Sequence, residues 1–132
     1  MQTFLPYADF GRSVAALDRM RLGKQRVEAM QILKALRGET RGWVNHPATR
    51  MWRGYEDALG NYLRMCIVEW VSRGYRNTIA LPPLTVNPCL PPWLGYDALH
   101  ASHRSNLLRK DAEYYGRHGW TEPHDLPYHW PS

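Results

Sequence analysis

Long hydrophobic runs are missing from this sequence. No apolar stretch approaches the roughly 18 to 20 residues of a membrane-spanning helix, which excludes a helical span. The opening residues, MQTFLPYADF, lack the basic segment and long apolar core of a secretory leader, so a cytoplasmic protein is expected. Cysteine is scarce: Cys66 sits in a helix-like pattern and Cys89 in a Pro-rich stretch, and two such residues without a leader are expected as free thiols. Neither has metal-ligand spacing, and Cys66 is expected to be buried and inert. Internal repeats and low-complexity tracts are also absent, so the 132 residues are read as one domain, 1–132.

Lysine is rare as well, with three against fourteen arginines in a chain of net charge +5. The planar guanidinium fork suits phosphate and base edges, which points to a nucleic-acid partner. GC-rich coding produces the same bias, so charge alone leaves the partner open. What the chain does have is aromatic bulk: six Trp and eight Tyr supply large packing units for one core.

Periodicity predicts three helices and no sheet. The first runs from a cap at Asp9 or Ser13 to about Leu36, with Gly23 a weak point in its middle. The second begins at Asn45 or His46 with Pro47 in its first turn, repeats Ala48, Trp52, Tyr55, Leu59, Tyr62, Cys66 and Trp70 on one side, and stops at Gly74. LPPLTVNPCLPPW, with five prolines, is an extended crossover whose Leu81, Leu84, Val86, Leu90 and Trp93 need somewhere to pack. A third helix spans about Asp97 to Tyr115, with a possible break near Ser102, and the aromatic tail TEPHDLPYHWPS is extended and packed on the body. The expected fold is all-α, with three main helices and long Pro-rich connections.

Two polar surfaces stand out. Arg12, Arg19 and Arg26, spaced by seven and continued by Lys34 and Arg37, form a basic ridge, read as a solvated face or a phosphate track. Opposite it, at 100° per residue, Asp18, Arg21, Gln25 and Glu28 fall within about 80° of one another, in a sector shared with Val14, Leu17 and Ile32. Burying four polar side chains costs several kcal/mol unless each is paired or lines a wet cleft. Helical pairs, Asp18–Arg21 and Lys24–Glu28, are one explanation. The other is a cleft floor with Glu28 as acid/base and Arg21, Lys24 and Gln25 as ligand contacts. Farther on, ASHRSNLLRK offers His103, Asn106 and Lys110 on one side with His100 and Arg104 beside them, a set suited to phosphate and base edges. His46 reads as a cap or a site residue, and His100 with His103 lacks a third ligand for a metal.

RLGKQRVEAMQIL and HPATRMWRGYEDALGNYLRMCIVEWVSRGY, with the strand-like lead before them, carry a resemblance over nearly the whole chain. The sequence resembles the phage pyrimidine-dimer DNA glycosylase/AP lyase family of the endonuclease V type, its bacterial branch in particular. The resemblance implies a compact three-helix fold that excises a base from damaged or modified double-stranded DNA without metal or cofactor, working as a monomer. It implies catalysis by an N-terminal α-amine and a glutamate on the first helix. An α-amine titrates near pH 8, so part of it is neutral and nucleophilic at physiological pH, while a carboxylate steadies the cationic sugar and moves protons. By this resemblance Glu28 is the glutamate. The amine is that of Met1, or of Gln2 after processing, with Lys24 as a substitute nucleophile. Arg21, Lys24, Gln25, His46, Arg50, His103 and Arg104 are the expected DNA contacts. Two other readings stay open: a non-catalytic DNA- or RNA-binding module on the same fold, and an enzyme or binder for a nucleotide-like small molecule.

Overall fold

The computed structural model describes residues 1–131. These are helical with no strand: α1 Phe10–Ala16, α2 Arg19–Leu36, α3 Pro47–Arg50, α4 Glu56–Ser72, α5 Asp97–Lys110 and α6 Ala112–Tyr115, followed by a 3-10 turn Gly116–His118. None of the helices is long and apolar enough to cross a membrane.

Each of the three long helices expected from the pattern is interrupted. The first is two helices, α1 and α2, joined through extended backbone at Leu17 and Asp18. Leu17 is driven fully into the core there. Asp18 receives the Tyr115 hydroxyl on its carboxylate and gives its own N–H to the same hydroxyl at 3.0 Å. The basic ridge is therefore divided between two helices, and Arg12 lies over the Tyr7 ring at 4.1 Å. The second expected helix breaks between α3 and α4 at Gly54, whose φ of +88° is the left-handed region that favours glycine. The third ends at Asp111 rather than near Ser102, and Asp111 caps α6 by accepting the Tyr114 N–H at 3.0 Å.

Packing of α2 on α4 forms the centre. Leu22, Ala29, Ile32 and Leu33 face Leu59, Tyr62, Leu63, Cys66 and Ile67, with Trp52, Trp93, Leu99, Leu107 and Tyr115 closing the core. Gly23 is explained by close approach: a Cβ there would lie 3.1 Å from two carbons of the Trp70 ring. Arg73, which caps the end of α4, ion-pairs with Glu69 at 2.7 Å and donates to the Val14 and Ala15 carbonyls at the end of α1.

The Pro-rich connection corrects one expectation. Leu81, Leu84, Val86 and Leu90 are exposed, whereas Pro82, Pro91 and Trp93 are buried. The segment is held by polar contacts to its backbone, with Asn61 making paired bonds to Thr85 N and O, both 2.9 Å. The tail packs on the core through Trp120, Tyr128 and Trp130. Side chains of α5 bind its backbone: Ser105 Oγ accepts the Leu126 N–H at 3.0 Å and Ser102 Oγ that of His129 at 3.1 Å.

Candidate functional site

Residues Gln2 to Leu5 form no regular element, yet they are among the most buried in the protein. A buried backbone without a helix or sheet must find hydrogen-bond partners among side chains. The Gln2 carbonyl accepts from Gln25 Nε2 at 2.8 Å, and the Phe4 N–H donates to Gln25 Oε1 at 2.8 Å. The Phe4 carbonyl lies 2.8 Å from the Tyr62 hydroxyl, and the Thr3 hydroxyl accepts from Trp52 Nε1 at 3.0 Å. Leu5 is gripped at both ends, its N–H donating to His103 Nδ1 at 2.9 Å and its carbonyl accepting from His100 Nδ1 at 2.7 Å. Arg104 Nη1 donates to the Pro6 carbonyl at 2.7 Å. Side chains from α2, α4 and α5, with Trp52 from the turn between α3 and α4, thus hold five successive residues.

These contacts fix the histidine protonation states. His100 Nε2 accepts the Gly95 N–H, so its Nδ1 carries the proton and donates to Leu5. His103 accepts at Nδ1, so its proton is on Nε2. Burial favours the neutral ring in both, lowering the pKa of His100 and pushing that of His103 down to about 3.

The clamped segment opens into a cleft of about 300 Å³. Its walls are Met1, Gln2 and Phe4 from the chain start, Met20, Arg21, Lys24, Gln25 and Glu28 from α2, Lys110 from the end of α5, and Tyr128 from the tail. Glu28, half-buried, turns to Gln25 rather than Lys24: its Oε2 accepts from Gln25 Nε2 at 3.1 Å, with the Gln2 N–H at 3.4 Å. Gln2 Nε2 is buried with no partner among the described residues. Arg21 pairs with Asp18 at 3.1 Å and still reaches the cleft. A second hollow of about 470 Å³ shares Met20, Lys24 and Glu28 and continues along Arg19, Gly23, Val27, Gln31 and Trp70. Glu28 therefore stands between a cationic cleft and a more apolar one. This arrangement suits an anionic ligand whose reacting carbon must meet a carboxylate.

Of the residues singled out from the sequence, Met1, Gln2, Arg21, Lys24, Gln25, Glu28 and Lys110 come together here. The others do not line this cleft. His103 is fully buried and spent on Leu5, so it offers nothing to DNA. Arg104 is a clip between Pro6 and Glu122, the latter an ion pair at 3.0 Å. Arg50 is exposed in a separate hollow with Arg53, Tyr55 and Trp93. His46 caps α3 by accepting the Ala48 N–H at 3.0 Å and lies edge-on to Trp43 and Trp130. Burial, then the N-terminal charge, lowers its pKa, and Glu28 opposes them, so its ring feels the cleft's charges. Tyr128 carried no sequence signal, being one aromatic among many, and Tyr62 carried only that of a core position on the second helix. Among the described residues no group of three or more His, Cys, Asp or Glu is placed to hold a metal ion.

A family model described as pyrimidine dimer DNA glycosylase matches residues 1–82, which span the clamped segment and helices α1 to α4. No curated protein and no solved structure matches the chain.

Proposed function

The chain belongs to the pyrimidine dimer DNA glycosylase family, and from that membership we propose that it excises a base from damaged or modified double-stranded DNA and then acts as an AP lyase. The amine at Met1 is the nucleophile in this reading and Glu28 the acid/base. One observation carries it: Met1 and Glu28 line the same cationic cleft, beside a chain start hydrogen-bonded to core side chains. Gln2, by contrast, is buried.

The chemistry follows from those groups. The neutral amine nitrogen bonds to C1′ of the sugar as the C1′–N bond to the base breaks, and the base leaves with a proton. Proton transfer to O4′ opens the ring and leaves a C1′=N imine. The Glu28 carboxylate steadies positive charge at C1′ and accepts the C2′ proton whose loss expels the 3′ phosphate. Arg21, Lys24 and Lys110 meet the flanking phosphates as point charges or forks. The reaction requires the target nucleotide to leave the stack, which is least costly where pairing is already damaged. The chain works as a monomer of one domain, residues 1–132.

Borohydride reduction in the presence of abasic-site DNA tests this directly, because it converts the imine into a stable amine cross-link. The expected result is a covalent protein–DNA adduct that Glu28→Gln loses while DNA binding persists. Tight, salt-sensitive binding with no adduct from the unaltered protein would instead describe a non-catalytic binding module. Absence of DNA binding at low salt would favour a small-molecule ligand in the same cleft.

A further inference from the structure

We propose that Gln25 is a positioning residue, whose side-chain amide locks the chain start and Glu28 into one reactive unit. This role rests on the amine–carboxylate reading above. A primary amide has two N–H donors and two acceptor lone pairs. Gln25 has a partner facing each of the four: Nε2 donates to Gln2 O at 2.8 Å and to Glu28 Oε2 at 3.1 Å, while Oε1 accepts the Phe4 N–H at 2.8 Å and lies 2.7 Å from the Tyr62 hydroxyl, whose one proton the Phe4 carbonyl also faces. The side chain is 1% exposed, so water does not compete for these bonds.

The partners dictate the residue type. Two acceptors face one end of the side chain, and a backbone N–H with a hydroxyl faces the other. Glutamate would set an oxygen against the Gln2 carbonyl and the Glu28 carboxylate. Methionine fills similar space with neither donor nor acceptor. Lysine and arginine have nothing to accept the Phe4 N–H. The same partners fix which way the amide points. Gln25 is one turn before Glu28 on α2, so a helical i,i+3 spacing brings both to one face. Tyr62 supports the unit from α4: burial holds its hydroxyl protonated, and its single proton is directed at Gln25 Oε1 or the Phe4 carbonyl. Holding a nucleophile and an acid/base in reacting geometry is worth large factors in rate, and small displacements forfeit them.

The test compares the whole protein with Gln25→Glu, Gln25→Met and Tyr62→Phe. Affinity for an abasic-site duplex, single-turnover adduct formation under borohydride against pH, and thermal melting are measured for each. Gln25→Glu is expected to slow adduct formation at least about tenfold near neutral pH, with affinity within about twofold, because the change acts on the reacting groups and not on phosphate contacts. Its acidic limb should move upward, since two carboxyl groups this close share a proton. Gln25→Met should be slow without that displacement. Tyr62→Phe, which keeps the ring, should fold and be slowed less. An adduct rate for Gln25→Glu within about twofold of the unaltered protein, or a loss mirrored in affinity or accounted for by unfolding, overturns the proposal. Should the Gln25 variants fail to fold, a Tyr62→Phe rate equal to that of the unaltered protein overturns it. An unaltered protein that forms no adduct defeats the amine–carboxylate reading and this role together. An adduct from the unaltered protein with an indifferent Gln25→Glu defeats only the role.

Discussion

Acidification should release the clamped chain start by charging His103. The ring is fully buried, takes the Leu5 N–H on Nδ1, and has its pKa pushed from about 6.5 to about 3, by burial first and then by the nearby charges of His100, Arg104 and His129. The rings of Phe4 and Tyr128 complete its surroundings. Between pH 6.5 and 3 the unfolded chain binds a proton that the folded chain refuses, so stability rises with pH across that window. The contribution is fully present above pH 6.5 and lost as pH falls. Each unit is worth about 1.4 kcal/mol, giving about 5 kcal/mol over the whole range and about 3 kcal/mol by pH 4.5. His100, shifted in the same direction by burial, adds to the loss. Urea unfolding followed by Trp fluorescence between about pH 7 and 4.5 measures the slope. His103→Asn keeps an oxygen able to accept the Leu5 N–H but removes the titration. It should begin less stable at neutral pH and then lose about 3 kcal/mol less than the unaltered protein on the way to pH 4.5. Parallel stability lines for the two proteins would refute the reasoning.

Gly23→Ala in mid-helix would ordinarily stabilise by about 1 kcal/mol. Here the new methyl meets a Trp70 ring held by Arg26 at 4.4 Å, by Tyr75 at 4.5 Å and by a 2.8 Å bond to the Arg76 carbonyl, so the melting temperature should fall by a few degrees. A rise would mean the ring yields. Lys110→Met should weaken duplex binding at low salt and reduce the slope of log affinity against log salt by about one, read by fluorescence anisotropy. An unchanged slope would remove Lys110 from the DNA path.

The stripe on α2 was legible because polar residues on an apolar side need a reason, and Arg21, Gln25 and Glu28 do line one cleft. The Asp18–Arg21 pair was legible as well, but the bond from Tyr115 to Asp18 was not, because Tyr115 is far away in sequence and the helix break there involves neither glycine nor proline. His100, His103 and Arg104 read as surface contacts because polar residues on a helix usually face solvent. They are inward because their partner is the unpaired backbone of Leu5 and Pro6, and no side-chain pattern reveals that backbone polarity. The same cause hid the role of Tyr62. In the Pro-rich connection, hydrophobicity placed the leucines inside, but the backbone contacts of Asn61 set the register and leave them exposed.

Which nitrogen attacks the sugar is the central claim, and peptide mapping of the borohydride-reduced adduct tests it most directly. After nuclease and protease digestion, mass spectrometry should find the sugar remnant on the α-nitrogen of Met1, and Glu28→Gln should yield none. A remnant on Lys24, or an adduct of equal yield from Glu28→Gln, would contradict the account.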